Sequence, residues 1–159
     1  MLAIGERAPV FEGKTDNGEP FRLEALRGQP LVLYFYPKAG TYGCTRESMD
    51  FAAHIGEFQA AGARVVGISV DTVEDQRGFS EKCHLPFPLV ADADKSVARL
   101  YGVLGAFGYA KRVTFLLDSE GRVAAVHSSA MPSSHVNQML ESLRQAAKGP
   151  PGPAAERPR

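Results

Sequence analysis

The sequence predicts an α/β protein with a mixed central sheet, flanking helices and an N-terminal β-hairpin. Three observations support this prediction: two continuous apolar runs, a helical segment after each run, and short turn signals near both ends of the chain. Continuous apolar runs are typical of strands that are covered on both faces. Strands that alternate with helices require parallel pairing, whereas a closing hairpin adds antiparallel strands. The sheet is therefore predicted to be of mixed direction.

The first half of the chain is predicted to form a hairpin, a buried strand and one long helix. "PVFEGKTDNGEPFRL" places two short extended pieces around Asn17-Gly18, which is a hairpin signal. "PLVLYFY" is the buried strand. From Cys44 to Ala61, apolar residues recur at three- and four-residue steps, which predicts a continuous helix that Gly62 ends. The expected buried face of this helix consists of Met49, Phe51, Ala52, Ile55, Phe58 and Ala61.

The middle of the chain is predicted to repeat this arrangement. "ARVVGISVD" is a second buried strand, and Asp71 or Thr72 is expected to cap a helix that runs to about Cys83. Pro86 and Pro88 lack the N–H group that a central strand needs. The segment "FPLVAD" is therefore predicted to be an edge strand.

The last third is predicted to contain a short helix, a hairpin and a C-terminal helix. The short helix spans residues 96–101. "KRVTFLLD" and "RVAAVHS" flank Ser119-Glu120-Gly121, which indicates a hairpin. Ser133 or Ser134 is expected to cap the last helix, which ends near Lys148.

The length of 159 residues is enough for one domain with one core. We expect that domain to occupy residues 1–148. Residues 149–159, "GPPGPAAERPR", have four prolines and no apolar periodicity. This composition predicts a disordered, proline-rich tail.

The composition also limits the partners and the compartment. Eighteen acidic residues balance eighteen basic ones, which gives no reason to expect nucleic acid or an anionic membrane as a partner. The N-terminal sequence has no apolar run long enough for a signal peptide or a spanning helix, so the cytosol is the expected compartment. The two cysteines, Cys44 and Cys83, form no C-x-x-C pair and are too few for a secreted disulfide scaffold.

Cys44 follows a predicted central strand and begins a predicted helix, a position where ligands bind in open α/β sheets. The first turn of a helix offers unpaired N–H groups and a positive dipole end, which favour a thiolate. Thr41 adds a hydroxyl, Gly43 removes bulk so that a small oxidant can reach backbone N–H groups, and Pro37 can shield one side from water. The alternative is that Cys44 is a small buried apolar residue.

The segment "PKAGTYGC", from Pro37 to Cys44, fits the P-x-x-x-T-x-x-C signature of peroxiredoxins. "YFYPKAGTYGCTRESMDF" resembles the Q-type group, also called the bacterioferritin comigratory protein group. The similarity continues through "GISVD", "LPFPLVAD", "YGV" and "KRVTFLLDSEGRV" and covers nearly the whole chain to about Lys148.

This resemblance implies a thioredoxin-like fold and the reduction of hydrogen peroxide or small alkyl hydroperoxides. Cys44 would be the peroxidatic cysteine that becomes a sulfenic acid, and Thr41 would hydrogen-bond the thiolate or the peroxide. Arg112 matches the family arginine that stabilises the thiolate and polarises the O–O bond, a task that suits a planar guanidinium. The alternative for Arg112 is an ordinary exposed strand arginine. The resemblance implies no metal and no other cofactor.

Two departures from the group bear on the mechanism. Tyr42 stands where the group usually has proline, and its ring is expected either near the active-site entrance or facing solvent. Met49 stands where many members have a second cysteine, and its helical spacing predicts a core position. Cys83 is the only other thiol, and it lies in the region of the helix where some Q-type members carry their resolving cysteine. The resemblance therefore implies that Cys83 resolves the sulfenic acid of Cys44 as an intramolecular disulfide. Bridging requires Cα atoms within about 7 Å, so the first turn after Cys44 would have to unwind, with or without the segment near Cys83.

Several alternatives stay open at this point. Cys83 is an incidental cysteine if the protein is a one-thiol peroxidase with an external resolving thiol. A thioredoxin-fold disulfide oxidoreductase and a binding module without activity are further possibilities. The expected reductant is thioredoxin or a glutaredoxin-type donor, and the expected state is a monomer.

The remaining polar signals are interpreted as structural. The histidines show no metal-binding spacing and are predicted to be surface or capping residues; they are His54, His127 and His135. Asp92 and Asp94 are predicted to be loop and helix-cap residues. His84 is expected to be solvated, although it adjoins Cys83.

Two segments near the predicted site have more than one interpretation. Glu47 is interpreted first as a helix-start acid that meets the dipole, and second as a residue that orients Arg112. The glycine-rich segment "GVLGAFGYAKR" lacks a phosphate-binding pattern and is predicted to be a mobile loop or an apolar lip beside the active site.

Overall fold

The structure is a computed structural model that describes residues 1–147, in which seven strands form one sheet. The strands are β1 (Glu12–Thr15), β2 (Pro20–Arg22), β3 (Leu31–Phe35), β4 (Arg64–Ser69), β5 (Leu89–Ala91), β6 (Val113–Leu117) and β7 (Val123–Ser128). The helices of this part of the chain are α1 (Tyr42–Ala53), α2 (Ile55–Ala60), α3 (Val73–Cys83), α4 (Ser96–Leu100) and α5 (Ser134–Ala147). A short 3-10 helix covers Leu23–Leu26.

The strand order is β2-β1-β5-β4-β3-β6-β7. The three central strands β5, β4 and β3 pair in parallel, and all other pairs are antiparallel. The expectation of a mixed sheet with flanking helices and an N-terminal hairpin is confirmed. The predicted tail, residues 149–159, lies outside the described residues.

Both faces of β3 are covered, which is why its sequence is continuously apolar. Alternate side chains enter different cores because neighbouring residues of a strand point to opposite faces. Leu31, Leu33 and Phe35 join the core that the N-terminal segment and α4 cover. Val32 and Tyr34 join the core beneath α1, α2, α3 and α5.

The predicted long helix is interrupted at His54. Helix α1 ends at Ala53, and α2 begins at Ile55. Met49 is 51% exposed, so the prediction that it lies in the core is wrong. The buried face of α1 instead consists of Cys44, Glu47, Ser48 and Phe51. Met49 is five residues after Cys44, about 140° around the helix, so it lies outside that face.

The prediction that "FPLVAD" forms an edge strand is also wrong. Strand β5 lies between β1 and β4. It begins only at Leu89, whose N–H group donates to Asp16 Oδ1 at 3.0 Å. Pro86 and Pro88 precede the strand, so their missing N–H groups do not interrupt the ladder.

The predicted helix caps agree with the structure in two cases and differ in one. Thr72 caps α3 by accepting from the N–H of Asp75 at 3.2 Å. Asp92 accepts from two N–H groups in the first turns of α4. Ser134 is the first residue of α5, and its hydroxyl donates to the Met131 carbonyl instead. No helix within residues 1–147 is long and apolar enough to cross a membrane.

Candidate active site

Cys44 is the third residue of α1 and is fully buried at the point where the chain leaves β3. Two donors converge on its sulfur. The backbone N–H of Lys38 lies 3.5 Å from Cys44 Sγ, and Nη2 of Arg112 lies 3.6 Å from it. Together with the helix N-terminus, these groups favour a negative charge on the sulfur. Cys44 is therefore a candidate nucleophile.

Arg112 reaches Cys44 because of the sheet register. Strand β6 runs antiparallel to β3 and pairs Val113 with Phe35, so the residue before β6 lies beside the carboxyl end of β3. The Arg112 side chain is only 11% exposed, so the alternative of an exposed strand arginine is wrong. Its Nη1 donates to Glu47 Oε1 at 2.7 Å, while its Nη2 faces the sulfur. One planar guanidinium thus contacts a carboxyl group and a thiol at once.

Gly43 makes room for this guanidinium. A Cβ atom at position 43 would lie 2.9 Å from Nη2 of Arg112 and 3.4 Å from Cγ of Pro132. Sequence reasoning expected the glycine to admit the oxidant. The structure adds a second reason for it, and it also brings in Pro132, which precedes α5 and was not predicted.

The loop that carries the Lys38 N–H group is fixed by the end of β4. Asp71 is buried and accepts from the Ala39 N–H at 2.8 Å and from the Ser69 hydroxyl at 2.6 Å. Its other oxygen lies 3.3 Å from Lys38 Nζ. The aspartate was expected only as a helix cap, and it instead anchors the loop above the sulfur.

Thr41 and Pro37 lie in the same loop. The Thr41 hydroxyl is exposed and donates to the Lys38 carbonyl at 2.8 Å, so it does not donate to the thiol as one form of the prediction required. Its oxygen keeps lone pairs that can accept a hydrogen bond. Pro37 is half-buried between β3 and Lys38.

Glu47 and His135 form a buried cluster behind Arg112. Both side chains are fully buried, so the interpretation of His135 as a surface or capping residue is wrong. Glu47 lies in the second turn of α1, so the helix-start interpretation is wrong too, and its contact with Arg112 supports the alternative. Nδ1 of His135 lies 2.8 Å from Thr114 Oγ1 and 3.5 Å from Glu47 Oε2, and its Nε2 lies 2.9 Å from the Ser129 carbonyl oxygen.

Burial sets the ionisation of this cluster. It raises the pKa of Glu47 to about 7, although Arg112 acts in the opposite direction. It lowers the pKa of His135 to about 4. A signal for His135 was present in the sequence, because the residue falls on the apolar stripe of α5 that contains Val136, Met139, Leu140 and Leu143.

Cys83 is the last residue of α3 and is half-buried. It lines a groove of about 360 Å³ between α3 and the start of α1, opposite Ala39, Gly40 and Thr45. Burial raises the pKa of its thiol, and Lys82 partly opposes this. Within residues 1–147, both cysteines are free thiols. The expected solvent exposure of His84, which follows Cys83, is confirmed.

Two aromatic side chains, those of Tyr42 and Phe107, face solvent. Tyr42 is 80% exposed, which agrees with the solvent-facing alternative for its ring. Phe107 is 93% exposed in the glycine-rich segment, whose last residue is Arg112. In the part of the chain that the structure describes, no group of three or more histidine, cysteine or acidic side chains could hold a metal ion.

Comparison with known protein families gives one match that covers most of the chain. The profile of the AhpC/TSA family matches residues 4–126. A putative peroxiredoxin bcp of Coxiella burnetii is 38% identical over 149 residues, which are 89% of this chain and 99% of the relative. Peroxiredoxin Bcp of Bacillus subtilis is 36% identical over 154 residues, which are 92% of this chain and 98% of the relative.

Solved structures give the same result. Peroxidoxin BcpB of Mycobacterium tuberculosis superposes with a TM-score of 0.87 at 37% identity, over 91% of this chain and 98% of that one. Peroxiredoxin Q of Xanthomonas campestris has a TM-score of 0.81 at 35% identity, over 86% of this chain and 91% of that one.

Proposed function

Because this chain belongs to the AhpC/TSA family and is a thiol peroxidase of the peroxiredoxin Q group with a thioredoxin-like fold, we propose that Cys44 is its peroxidatic residue and reduces hydrogen peroxide and small alkyl hydroperoxides. The observation that carries the proposal is the convergence of Lys38 N–H and Arg112 Nη2 on the Cys44 sulfur. A disulfide oxidoreductase with a C-x-x-C pair or an inactive binding module would not need this arrangement.

In the first step, the Cys44 thiolate attacks the distal oxygen of the hydroperoxide. An S–O bond forms, the O–O bond breaks, and the leaving alkoxide or hydroxide takes up a proton as the cysteine becomes a sulfenic acid. Arg112 stabilises the thiolate before attack and the charge that develops on the oxygens during it. Its position beside the sulfur supports both roles.

Three residues of the loop hold the peroxide in this proposal. The Thr41 hydroxyl donates to the Lys38 carbonyl, so its oxygen is left to accept a hydrogen bond from the peroxide O–H. Pro37 covers one side of the loop, and Gly43 adds no side-chain bulk beside the sulfur and the Arg112 guanidinium. Because Cys44 is fully buried, we expect a small movement at the start of α1 when the peroxide enters.

In the second step, Cys83 attacks the sulfenic acid, an intramolecular disulfide forms, and water leaves. The groove supports this pairing, because Cys83 and the loop that precedes Cys44 both line it. The first turn of α1 and the end of α3 have to open to bring the Cα atoms within about 7 Å. Helix ends are the parts of a fold where local opening costs least.

The disulfide is then reduced by an external dithiol, which returns both cysteines to thiols and is itself oxidised. We expect thioredoxin or a glutaredoxin-type protein in this role, and a monomer that acts in the cytosol. The cysteine pair of this chain is too sparse for a structural framework and suits a transient disulfide.

Intact mass measurement under non-reducing conditions tests the proposal. After one equivalent of peroxide, the wild type should lose the mass of two hydrogens. Cys44→Ser should show no reaction, and Cys83→Ser should react once, give a trappable sulfenic acid and lose turnover with thioredoxin and its reductase. Met49→Ser is a matched control that should keep turnover, because this side chain is exposed and away from the buried face of α1.

The outcomes separate the two mechanisms. A stable sulfenic acid on Cys44 of the wild type, with Cys83 still free, would establish the one-thiol mechanism and reject the disulfide. The half-buried position of Cys83 and the raised pKa of its thiol are the features that favour this alternative.

A further inference from the structure

The buried carboxyl group of Glu47 faces a nitrogen that has no hydrogen to offer it. The Ser129 carbonyl oxygen can only accept, so His135 must carry its hydrogen on Nε2, and in a neutral ring Nδ1 then has only a lone pair. Thr114 contacts this Nδ1 at 2.8 Å, and Glu47 Oε2 lies 3.5 Å from it. Among residues 1–147, Glu47 Oε2 has no hydrogen-bond partner. With Glu47 ionised, Glu47 Oε2 and His135 Nδ1 would be two neighbouring buried acceptors with no hydrogen between them, which is energetically costly.

One additional proton removes this conflict. On Glu47 Oε2 it replaces the carboxylate charge that faces the Nδ1 lone pair with an O–H that competes with the Thr114 hydroxyl for that lone pair, and on Nδ1 it provides a donor toward both oxygens. The pKa of Glu47 is raised and that of His135 lowered by burial, which favours the oxygen. The titratable and charged groups around Glu47 are Cys44 and Asp50 on α1, Arg112 before β6, Tyr34 on β3, His127 on β7 and His135 on α5.

We propose that Glu47 and His135 hold one buried proton between them, so that the Glu47 carboxyl binds Arg112 without cancelling the positive charge that the Cys44 thiolate needs. With this proton, the thiolate, the guanidinium and the Glu47–His135 pair sum to zero charge. Without it, the buried group has a net charge of minus one, and an uncompensated buried charge is strongly unfavourable.

In this arrangement Glu47 and His135 are positioning residues that act through Arg112. Glu47 Oε1 fixes Nη1 so that Nη2 points at the sulfur, and His135 holds the proton on the far side. The inference rests on the proposed role of Cys44 and Arg112. It adds a pH-sensitive element that is sealed from solvent, because both side chains are fully buried.

NMR titration of the full chain with both thiols reduced tests the proton directly. The Glu47 carboxyl carbon is assigned with Glu47→Gln, and the His135 ring nitrogens are followed in the same samples. We expect one protonation event of the pair with a midpoint near 7, seen at Glu47 while the ring keeps its hydrogen on Nε2. A proton found on Nδ1 next to an ionised Glu47 also supports a shared proton. An ionised Glu47 beside a neutral His135 at pH 5 would overturn the proposal.

Kinetics give the second readout, because glutamine has the shape and donor pattern of a protonated glutamate. At pH 6, Glu47→Ala should slow the reaction of Cys44 with peroxide by about tenfold or more, and Glu47→Gln should recover most of that loss. The ratio of the wild-type rate to the Glu47→Gln rate should change by about threefold or more across neutral pH. A glutamine variant as slow as the alanine variant, with a flat ratio, would show that a carboxylate charge is required instead.

The two hypotheses fail in different ways. Peroxidase turnover that survives Cys44→Ser would reject the proposed function and leave the NMR titration unaffected. An ionised Glu47 at low pH in an enzyme that depends on Cys44 would reject only the shared proton.

Discussion

Arg112 has two partners and very little free space. Its guanidinium lies between the Glu47 carboxyl and the Cys44 sulfur, and Gly43 borders it closely enough to exclude a methyl group. The contact with the sulfur is 3.6 Å, so a small displacement of the side chain would break it. The contact between Arg112 and the sulfur therefore requires the absence of a side chain at position 43.

Gly43→Ala should separate activity from stability. The added Cβ would meet Nη2 at 2.9 Å, and the guanidinium has to move away from the sulfur. We expect the rate of Cys44 oxidation by peroxide to fall by about tenfold or more, in line with the loss of a hydrogen bond to a charged group. The melting temperature should fall by less than about 3 °C, because alanine favours the helix and only a side-chain end has to shift.

Gly56→Ala is the matched control for this substitution. A Cβ at position 56 meets no atom within 4 Å, so the helix should become slightly more stable and the peroxide rate should stay at the wild-type value. Stopped-flow kinetics and thermal unfolding measure both variants. Equal peroxide rates in Gly43→Ala and Gly56→Ala would show that the space at position 43 has no catalytic importance.

The sequence could identify some residues of the site and not others. Cys44 and Arg112 were found because their short motifs are specific. The sequence predicts Glu47 first as a helix-start acid and only second as a partner of Arg112, and it predicts His135 as a surface or capping residue, because polar residues are mostly exposed. Their burial depends on each other and on Arg112, and contacts across 65 residues or more cannot be read from local patterns.

At the scale of elements, both cysteines lie at helix ends, which would have to open for the proposed disulfide to form. Cys44 lies in the first turn of α1, and Cys83 is the last residue of α3. Apolar periodicity predicted the existence of both helices but missed the break at His54. The prolines led to the wrong prediction of β5 as an edge strand. Whether a proline lies inside a strand or before it depends on where the ladder of hydrogen bonds begins.

The end of α3 contains a strained residue. His84 has φ 51° and ψ 49°, the left-handed conformation that a side chain with a Cβ disfavours by roughly 1–2 kcal/mol. Glycine adopts this conformation without that cost, although it also gains freedom in the unfolded chain. We therefore expect His84→Gly to raise the free energy of unfolding by about 0.5–1 kcal/mol.

Urea unfolding of the reduced protein measures this change. His84→Ala is the matched control, because alanine keeps the Cβ and the strain while it removes the ring. It should show no gain. If the alanine and glycine variants were equally stable, the left-handed conformation would not be the source of the effect.

At the scale of the whole molecule, the sheet assembles the site from three distant segments. The antiparallel pairing of β3 with β6 brings Arg112 to the start of α1, and α5 packs His135 against the same place. The strands and their mixed direction could be predicted from the sequence. The strand order could not be predicted, because each buried strand is apolar on both faces and its sequence does not indicate which strands pair with it.

The protonation of the buried Glu47–His135 pair should change the stability of the fold, although the formal net charge of the chain is zero. Folding raises the pKa of Glu47 from 4.5 to about 7, so this residue adds stability at low pH that is lost as the pH rises through about 7. Folding lowers the pKa of His135 from 6.5 to about 4, so stability is lost as the pH falls from 6.5 toward 4. In the wild type, the two effects oppose each other at mildly acidic pH.

Glu47→Gln removes the first effect and keeps the second. The wild type should therefore gain about 2 kcal/mol in free energy of unfolding over this variant between pH 8 and pH 5. Urea unfolding at pH 5, 6.5 and 8 with both thiols reduced measures the difference, and Glu120→Gln, at an exposed turn, should show no such trend. A gap between wild type and Glu47→Gln that is the same at pH 5 and pH 8 would mean that the folded protein holds Glu47 ionised. The guanidinium would then be shared with a full negative charge, and the thiolate would have to be stabilised chiefly by the Lys38 N–H group and the start of α1.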